Sequence, residues 1–244
     1  MKFTISLAGV KIGVTSLYEE VYTLCRDYLV SGEPDFSVTI DASDIEFERE
    51  KSASEAKHEG RIPEYFSDGY LETLAVYRKI VVKMLDYNAF LMHGAVVGLN
   101  GKAYLFTAPS GVGKTTHTSF WLKKYPNAFI LNGDKPILRF MDGKVFACGT
   151  PWAGKEGRNK NAILPLAAIC VLFRGKENKI EKIDFAKVFH LIIAQTYRPE
   201  ERSALETTLQ FVGKLGETVP FYALACNLDP NAACVAKEGM VADE

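Results

Sequence analysis

The sequence predicts an α/β protein in two parts: a small α+β region over residues 1–88 packed on a larger core of mixed sheets over residues 89–244. Three observations predict it. An apolar strand, "YLF" (104–106), runs into the glycine-rich loop "APSGVGKTT" (108–116) and then into a helical stretch. The dipeptides Asn100-Gly101 and Asp142-Gly143 each sit between two apolar runs, the pattern of a two-residue hairpin turn. Ahead of residue 89 the strongest signal is helical instead: Leu71, Leu74, Tyr77, Ile80, Val81, Met84 and Leu85 share one face of "SDGYLETLAVYRKIVVKMLDY" (67–87).

In the first region, residues 2–8 and 10–15 alternate around Gly9 and predict a hairpin. "SLYEEVYTLCRDYLV" (16–30) predicts a helix, with Leu17, Val21, Leu24 and Tyr28 on one face, Ser16 as N-cap and Gly32 beyond its end. "FSVTID" (36–41) reads as a short strand. Residues 42–61 are polar and charged and read as a surface or mobile segment. In the second region, "FLMHGAVVGLNGKAYLFTA" predicts strand, turn and strand. A helix over about 114–124 follows the loop, and "AFILNGD" reads as a buried strand with a polar tip. A hairpin turning at Asp142-Gly143 comes next, then a polar loop (149–161). Strands at 166–173, 179–183 and 219–225 and helices at 184–195, 200–213 and 230–238 complete the chain. No internal repeat is present.

Composition sets outer limits. Apolar residues are 48% and charged residues 24%, enough to build a core without disulfide staples. The formal net charge of −1 argues against a protein that coats nucleic acid. The five cysteines form no C-x-x-C pair and read as scattered thiols in a reducing compartment. Lys11 interrupts the N-terminal apolar residues, so no signal peptide is expected. The longest apolar run, "AILPLAAICVLF" (162–173), is too short to span a bilayer and contains Pro165. The expectation is a cytoplasmic protein with no membrane or nucleic-acid partner, with homo-oligomerisation left open.

The loop carries the chemistry. A phosphate cradle needs permissive backbone positions, a helix N-terminus facing the anion, a lysine for the terminal phosphates and a hydroxyl for Mg²⁺. Gly111 and Gly113 supply the first, and Lys114 and Thr115 supply the last two. Ser110, Val112 and Thr116 complete the nucleotide-contacting run. Ala108 stands where the usual pattern has its first glycine, at a strand end that alanine can occupy. Asp134 ends the next strand, where a nucleotide enzyme places a metal-binding or basic carboxylate; by itself it reads first as a turn cap before Pro136, and the neighbouring loop favours the functional reading. His93 lies on the strand before the loop, and a lone histidine there is usually structural. "GTPWAGKEGRNKN" (149–161) brings Lys155, Arg158 and Lys160. It is either a solvated loop or one that closes over phosphates. Arg174, at the end of the buried strand, either leans on a transferring phosphate or caps that strand in solvent.

Taken in order, "MHGAVV", "SGVGKTT" and "NGDKP" resemble the HPr kinase / phosphoenolpyruvate carboxykinase superfamily over about residues 90 to 183. With "GTPWAGKEGRNKN" added, the chain looks like the small bacterial HPr-kinase-like proteins often associated with modified-peptide gene clusters. The resemblance implies a phosphate-binding-loop (P-loop) core of the HPr kinase/carboxykinase type. It implies Lys114 on the β- and γ-phosphates, Thr115 on Mg²⁺, Asp134 as metal ligand or acid/base, and His93 near metal and γ-phosphate. ATP is the implied cofactor with Mg²⁺, Mn²⁺ being an alternative, and a hydroxyl on a peptide, carrier protein or small molecule is the acceptor. HPr kinases carry two adjacent aspartates at the strand end, whereas this chain has Gly133-Asp134. Three rival readings follow: a carboxykinase-like lyase, a non-catalytic nucleotide-binding module for a peptide-modification system, and an autonomous hydrolase.

Overall fold

The computed structural model describes residues 1–58 and 60–241. They form two compact units, Met1–Met84 and Leu85–Glu244.

In the first unit, β1 (Lys2–Leu7) and β2 (Val10–Thr15) form an antiparallel hairpin. Its turn places Ala8 and Gly9 at φ 52° and 78°, as a primed two-residue turn demands. β3 (Phe36–Thr39) adds parallel to β2, giving the order β1-β2-β3. Alternation sends Ile5, Leu7, Ile12, Val14 and Val38 into the core. Helices α1 (Glu19–Leu24), α2 (Ala42–His58) and α3 (Asp68–Lys83) complete the unit. Ser67 caps α3, its hydroxyl accepting from the Tyr70 amide.

Two expectations for this unit change. The helix expected over 16–30 is only six residues long, and a 3-10 turn (Arg26–Tyr28) follows it. The reason is distant in sequence: the buried carboxylate of Glu72 accepts from the Leu17 and Tyr18 amides at 2.5 and 2.8 Å. This holds 17–18 extended, and Ser16 does not cap. The polar stretch 42–61 is largely helix α2, with residue 59 outside the described residues. Its weak apolar stripe hid it. Arg78 bridges Asp44 and Glu48 of α2 (3.2 and 2.5 Å), Lys79 pairs with Asp44, and the Arg78 guanidinium lies 4.4 Å from the Phe47 ring centre.

The second unit is a mixed α/β body. Its elements are β4 (Ala89–Leu91), β5 (Ala95–Leu99), β6 (Lys102–Thr107), α4 (Lys114–Lys124), β7 (Phe129–Asn132), β8 (Ile137–Met141) and β9 (Lys144–Cys148). They continue with β10 (Ile163–Arg174), β11 (Lys179–Ile183), α5 (Phe185–Ala194), α6 (Arg202–Thr218), β12 (Phe221–Cys226) and α7 (Ala232–Val241). The strand path is β4-β8-β9-β10-β6-β5-β7, with β12 also on β10 and β11 on β12. β10 joins its two halves. Residues 163–165 pair antiparallel with β9, and beyond Pro165 the strand runs parallel to β6 and β12. Both short hairpins turn where expected, at Asn100-Gly101 (φ 51° and 77°) and Asp142-Gly143 (φ 48° and 73°).

The core between β5, β6, β10 and β12 and helices α4 and α7 holds Phe106, Trp121, Leu172, Tyr222 and Leu224, each at most 1% exposed. The expected strand "FLMHGAVV" is broken at 92–94 into β4 and β5, which pair with different partners. Gly94 sits where a Cβ would meet the Phe106 carbonyl at 3.0 Å. Helix α6 outruns its expected end at 213 and continues to Thr218, with Gly216 giving room to the Phe185 ring. All five cysteines are free thiols; burial pushes Cys25 and Cys148 up to about 12. Among the described residues no helix is long and apolar enough to cross a membrane.

Candidate functional site

β6 ends at Thr107, the loop 108–113 turns, and α4 begins at Lys114. Gly111 and Gly113 take φ of 77° and 122°, conformations that a side chain disfavours. Ala108 is buried at the strand end, and its carbonyl accepts from the Lys114 Nζ at 2.8 Å. The helix's first amide donated to the protein is that of His117, to Gly113. Among the described residues, the amides of Gly111, Gly113, Lys114, Thr115 and Thr116 donate to no protein acceptor. A loop of outward-facing N–H groups at a helix N-terminus attracts an anion. Burial lowers the Lys114 pKa, and the nearby Asp134 carboxylate opposes that.

The break at 92–94 places His93 beside Asp134. His93 Nε2 donates to Asp134 Oδ1 at 2.9 Å, and the backbone fixes both: Gly94 N donates to Asp134 O, and His93 N donates to Gln195 O. Burial pushes the Asp134 carboxyl up. The hydrogen bond and imidazole of His93 outweigh this, with help from Lys135 and Lys114, and the carboxyl titrates below its ordinary range. Asp134 is therefore ionised at neutral pH.

One cavity of about 540 Å³ brings these groups together: Ser110, Gly111, Gly113 and Lys114 on one side, His93 and Asp134 on another. Thr115 and Thr116 also line it, and both are exposed. The loop 149–161 supplies Ala153, Gly154, Lys155, Glu156 and Arg158 as a third wall. Arg158 is paired with Glu156 at 3.2 Å. Two expected site residues lie elsewhere. Val112 packs against the core, and Arg174 reaches the loop from outside the cavity, its Nη2 donating to Gly111 O at 2.8 Å.

The donor set fits a hard divalent cation held together with phosphate and water. Among the described residues nothing engages the Thr115 hydroxyl or the second oxygen of Asp134, whereas His93 Nε2 is engaged with Asp134. Among the described residues no group of three His, Cys, Asp or Glu side chains converges on a metal position.

Gly133 is closely packed. A Cβ there would lie 3.0 Å from the Ala153 carbonyl and 3.4 Å from that of Arg158, and Gly133 N donates to Arg158 O. Two further residues escape sequence reasoning. Asn132 and Thr150 are fully buried and hydrogen-bonded to each other at the base of the loop. In the sequence Asn132 is only the polar tip of a strand, and its partners, apart from the Thr150 hydroxyl, are backbone groups, which leave no residue-type signal.

No protein-family model matches the chain, and no curated protein sequence does. Among solved structures, the Hpr(Ser) kinase/phosphatase from Coxiella burnetii aligns with a TM-score of 0.39 at 8% identity, over 63% of this chain and 95% of that one. A likeness of that size carries no argument about chemistry, and the site rests on its own geometry.

Proposed function

We propose that the second unit is an ATP- and Mg²⁺-dependent phosphotransferase that moves the γ-phosphate to a hydroxyl of a peptide, carrier protein or small molecule. One observation carries this reading: unpaired loop amides, Lys114 and the His93–Asp134 pair face a single cavity. The amides and Lys114 hold the phosphates once Lys114 leaves the Ala108 carbonyl. Thr115 and Asp134 would hold a divalent cation, which would supply charge neutralisation to the transferring group. The bond between the γ-phosphorus and its bridging oxygen breaks as the acceptor oxygen bonds to phosphorus, and the acceptor proton passes to the Asp134 carboxylate. A weak base suffices, because phosphoryl transfer draws mostly on positioning and electrostatics. His93 orients Asp134 through the 2.9 Å hydrogen bond.

A second reading, a nucleotide-binding module without transfer, draws support from Gly133, where even a Cβ would lie 3.0 Å from the Ala153 carbonyl. The two readings separate by experiment. Nucleotide at about 100 times its Kd raises stability by about 2.7 kcal/mol, and Lys114→Ala is expected to abolish that gain. Asp134→Asn is expected to retain nucleotide binding and lose transfer. Absence of a thermal shift with any nucleotide, with or without Mg²⁺, overturns both readings. A shift without transfer to any hydroxyl leaves the module.

A further inference from the structure

We infer that Asn132 is the positioning residue of this site: one buried side-chain amide fixes Asp134 and the base of loop 149–161 at once. The inference rests on the reading of Asp134 and the loop as two walls of a nucleotide site, and it concerns what holds those walls together.

Asn132 is the last residue of β7 and is fully buried. Its Oδ1 accepts from the amides of Asp134 and Lys135 at 2.8 and 2.6 Å. Its Nδ2 donates to Thr150 O and Thr150 Oγ1, each at 2.9 Å. Thr150 Oγ1 in turn donates to Lys135 O at 2.8 Å, closing the ring. The main chain reinforces the junction: Gly133 N donates to Arg158 O and Lys160 N donates to Leu131 O, both at 3.0 Å. Residues 131–135 and both ends of the loop thus form one knot.

The chemistry of the knot specifies asparagine. Two N–H donors face one end of the side chain, and a carbonyl and a hydroxyl oxygen face the other. A carboxylate would satisfy the first end and set an anionic oxygen against the Thr150 carbonyl. An alkyl side chain would strand buried groups at both ends, and the cost of leaving such groups unpaired exceeds the net worth of the bonds lost. Lys155, Arg158 and Lys160 in the tethered loop provide a direct readout, since each is a tryptic site.

The test compares wild type, Asn132→Ala and the milder Thr150→Val, which removes the hydroxyl at nearly constant volume. Each is digested with trypsin at a temperature where its far-UV signal is native. Cleavage reports local opening of the loop, and losing at least four buried hydrogen bonds in Asn132→Ala and at least two in Thr150→Val is expected to speed cleavage at 155–160 by about tenfold or more in the first and by about threefold in the second. Cleavage elsewhere in the chain stays at the wild-type rate. The second readout is nucleotide-induced thermal shift, in which Asn132→Ala is expected to lose the increment that Mg²⁺ adds while keeping the Mg²⁺-free shift. Unchanged loop cleavage in both variants overturns the inference, as does a rise spread evenly over the chain. If wild type shows no nucleotide shift at all, the phosphotransferase reading fails, and the cleavage pattern still decides whether Asn132 ties the loop.

Discussion

Replacing Gly133 tests whether this chain tolerates a second carboxylate next to Asp134. No backbone obstacle exists, because the φ of Gly133 lies outside the left-handed region. The obstacle is packing: a new Cβ lies 3.0 Å from the Ala153 carbonyl, a few tenths of an ångström short of ordinary contact. That carbonyl cannot retreat freely, since Trp152 and Ala153 are buried and the loop is tied to β7 through Asn132. Overpacking of this kind costs about 1–3 kcal/mol, and Gly133→Asp adds a carboxylate within the same confined space. At about 2–4 °C per kcal/mol, Gly133→Ala should lower Tm by roughly 3–10 °C, with Gly133→Asp at the upper end or beyond. The assay is calorimetric melting of both variants beside phosphate transfer. A Gly133→Asp protein that melts with wild type and transfers phosphate faster would refute the steric account. A Gly133→Ala protein that melts within about 1 °C of wild type would do the same.

Three further outcomes are expected. Burial pushes the His117 pKa down to about 4, so the unfolded chain takes up its proton near pH 6.5 and the folded chain does not. The corresponding stability is complete above about pH 6.5 and falls by about 3 kcal/mol toward pH 4; urea titrations of wild type and His117→Gln should show that slope only in wild type, and equal slopes would remove the assignment. The Asp134 carboxyl is held below its ordinary range, so its contribution is present above about pH 4 and disappears as pH falls through the lower folded value; the stability gap between wild type and Asp134→Asn should close there, and a gap constant from pH 6 to 3 would count against the His93–Asp134 pairing. Arg174→Ala frees the Gly111 carbonyl and should weaken nucleotide binding about three- to tenfold with turnover at saturation kept; a collapse of turnover with unchanged affinity would return Arg174 to the reacting phosphate.

Local chemistry made the hairpins and the glycine loop legible. Asn100-Gly101 and Asp142-Gly143 demand positive φ wherever they occur, and the run from Gly111 to Thr115 carries its conformational needs in its own residue types. Helix α2 was not legible, because its stability comes from Arg78 and Lys79, residues of another helix, rather than from an apolar stripe. The length of α1 depends on Glu72, more than fifty residues downstream. Within the site, Lys114, Asp134 and His93 announced themselves as titratable groups near a phosphate-like loop. Asn132 did not, because its partners, backbone groups and the Thr150 hydroxyl, come from two segments that only the fold brings together. Arg174 was visible as a cation, but its orientation toward the outer face of the loop depends on the parallel pairing of β10 with β6.

Neither of the chain's two tryptophans lines the cavity, but each sits on a segment that does. Trp121 lies on α4, completely buried between Phe106, Tyr104 and Tyr125, with its indole N–H donated to His117 Nε2. Trp152 lies in the tethered loop and is 5% exposed. Tryptophan emission therefore originates from the helix that follows the glycine loop and from the loop 149–161. A ligand that reshapes the loop shifts the Trp152 component toward the red or blue, while Trp121 provides an internal standard anchored in the core. Single Trp→Phe variants resolve the two, giving a label-free optical record of site opening that needs no knowledge of the acceptor.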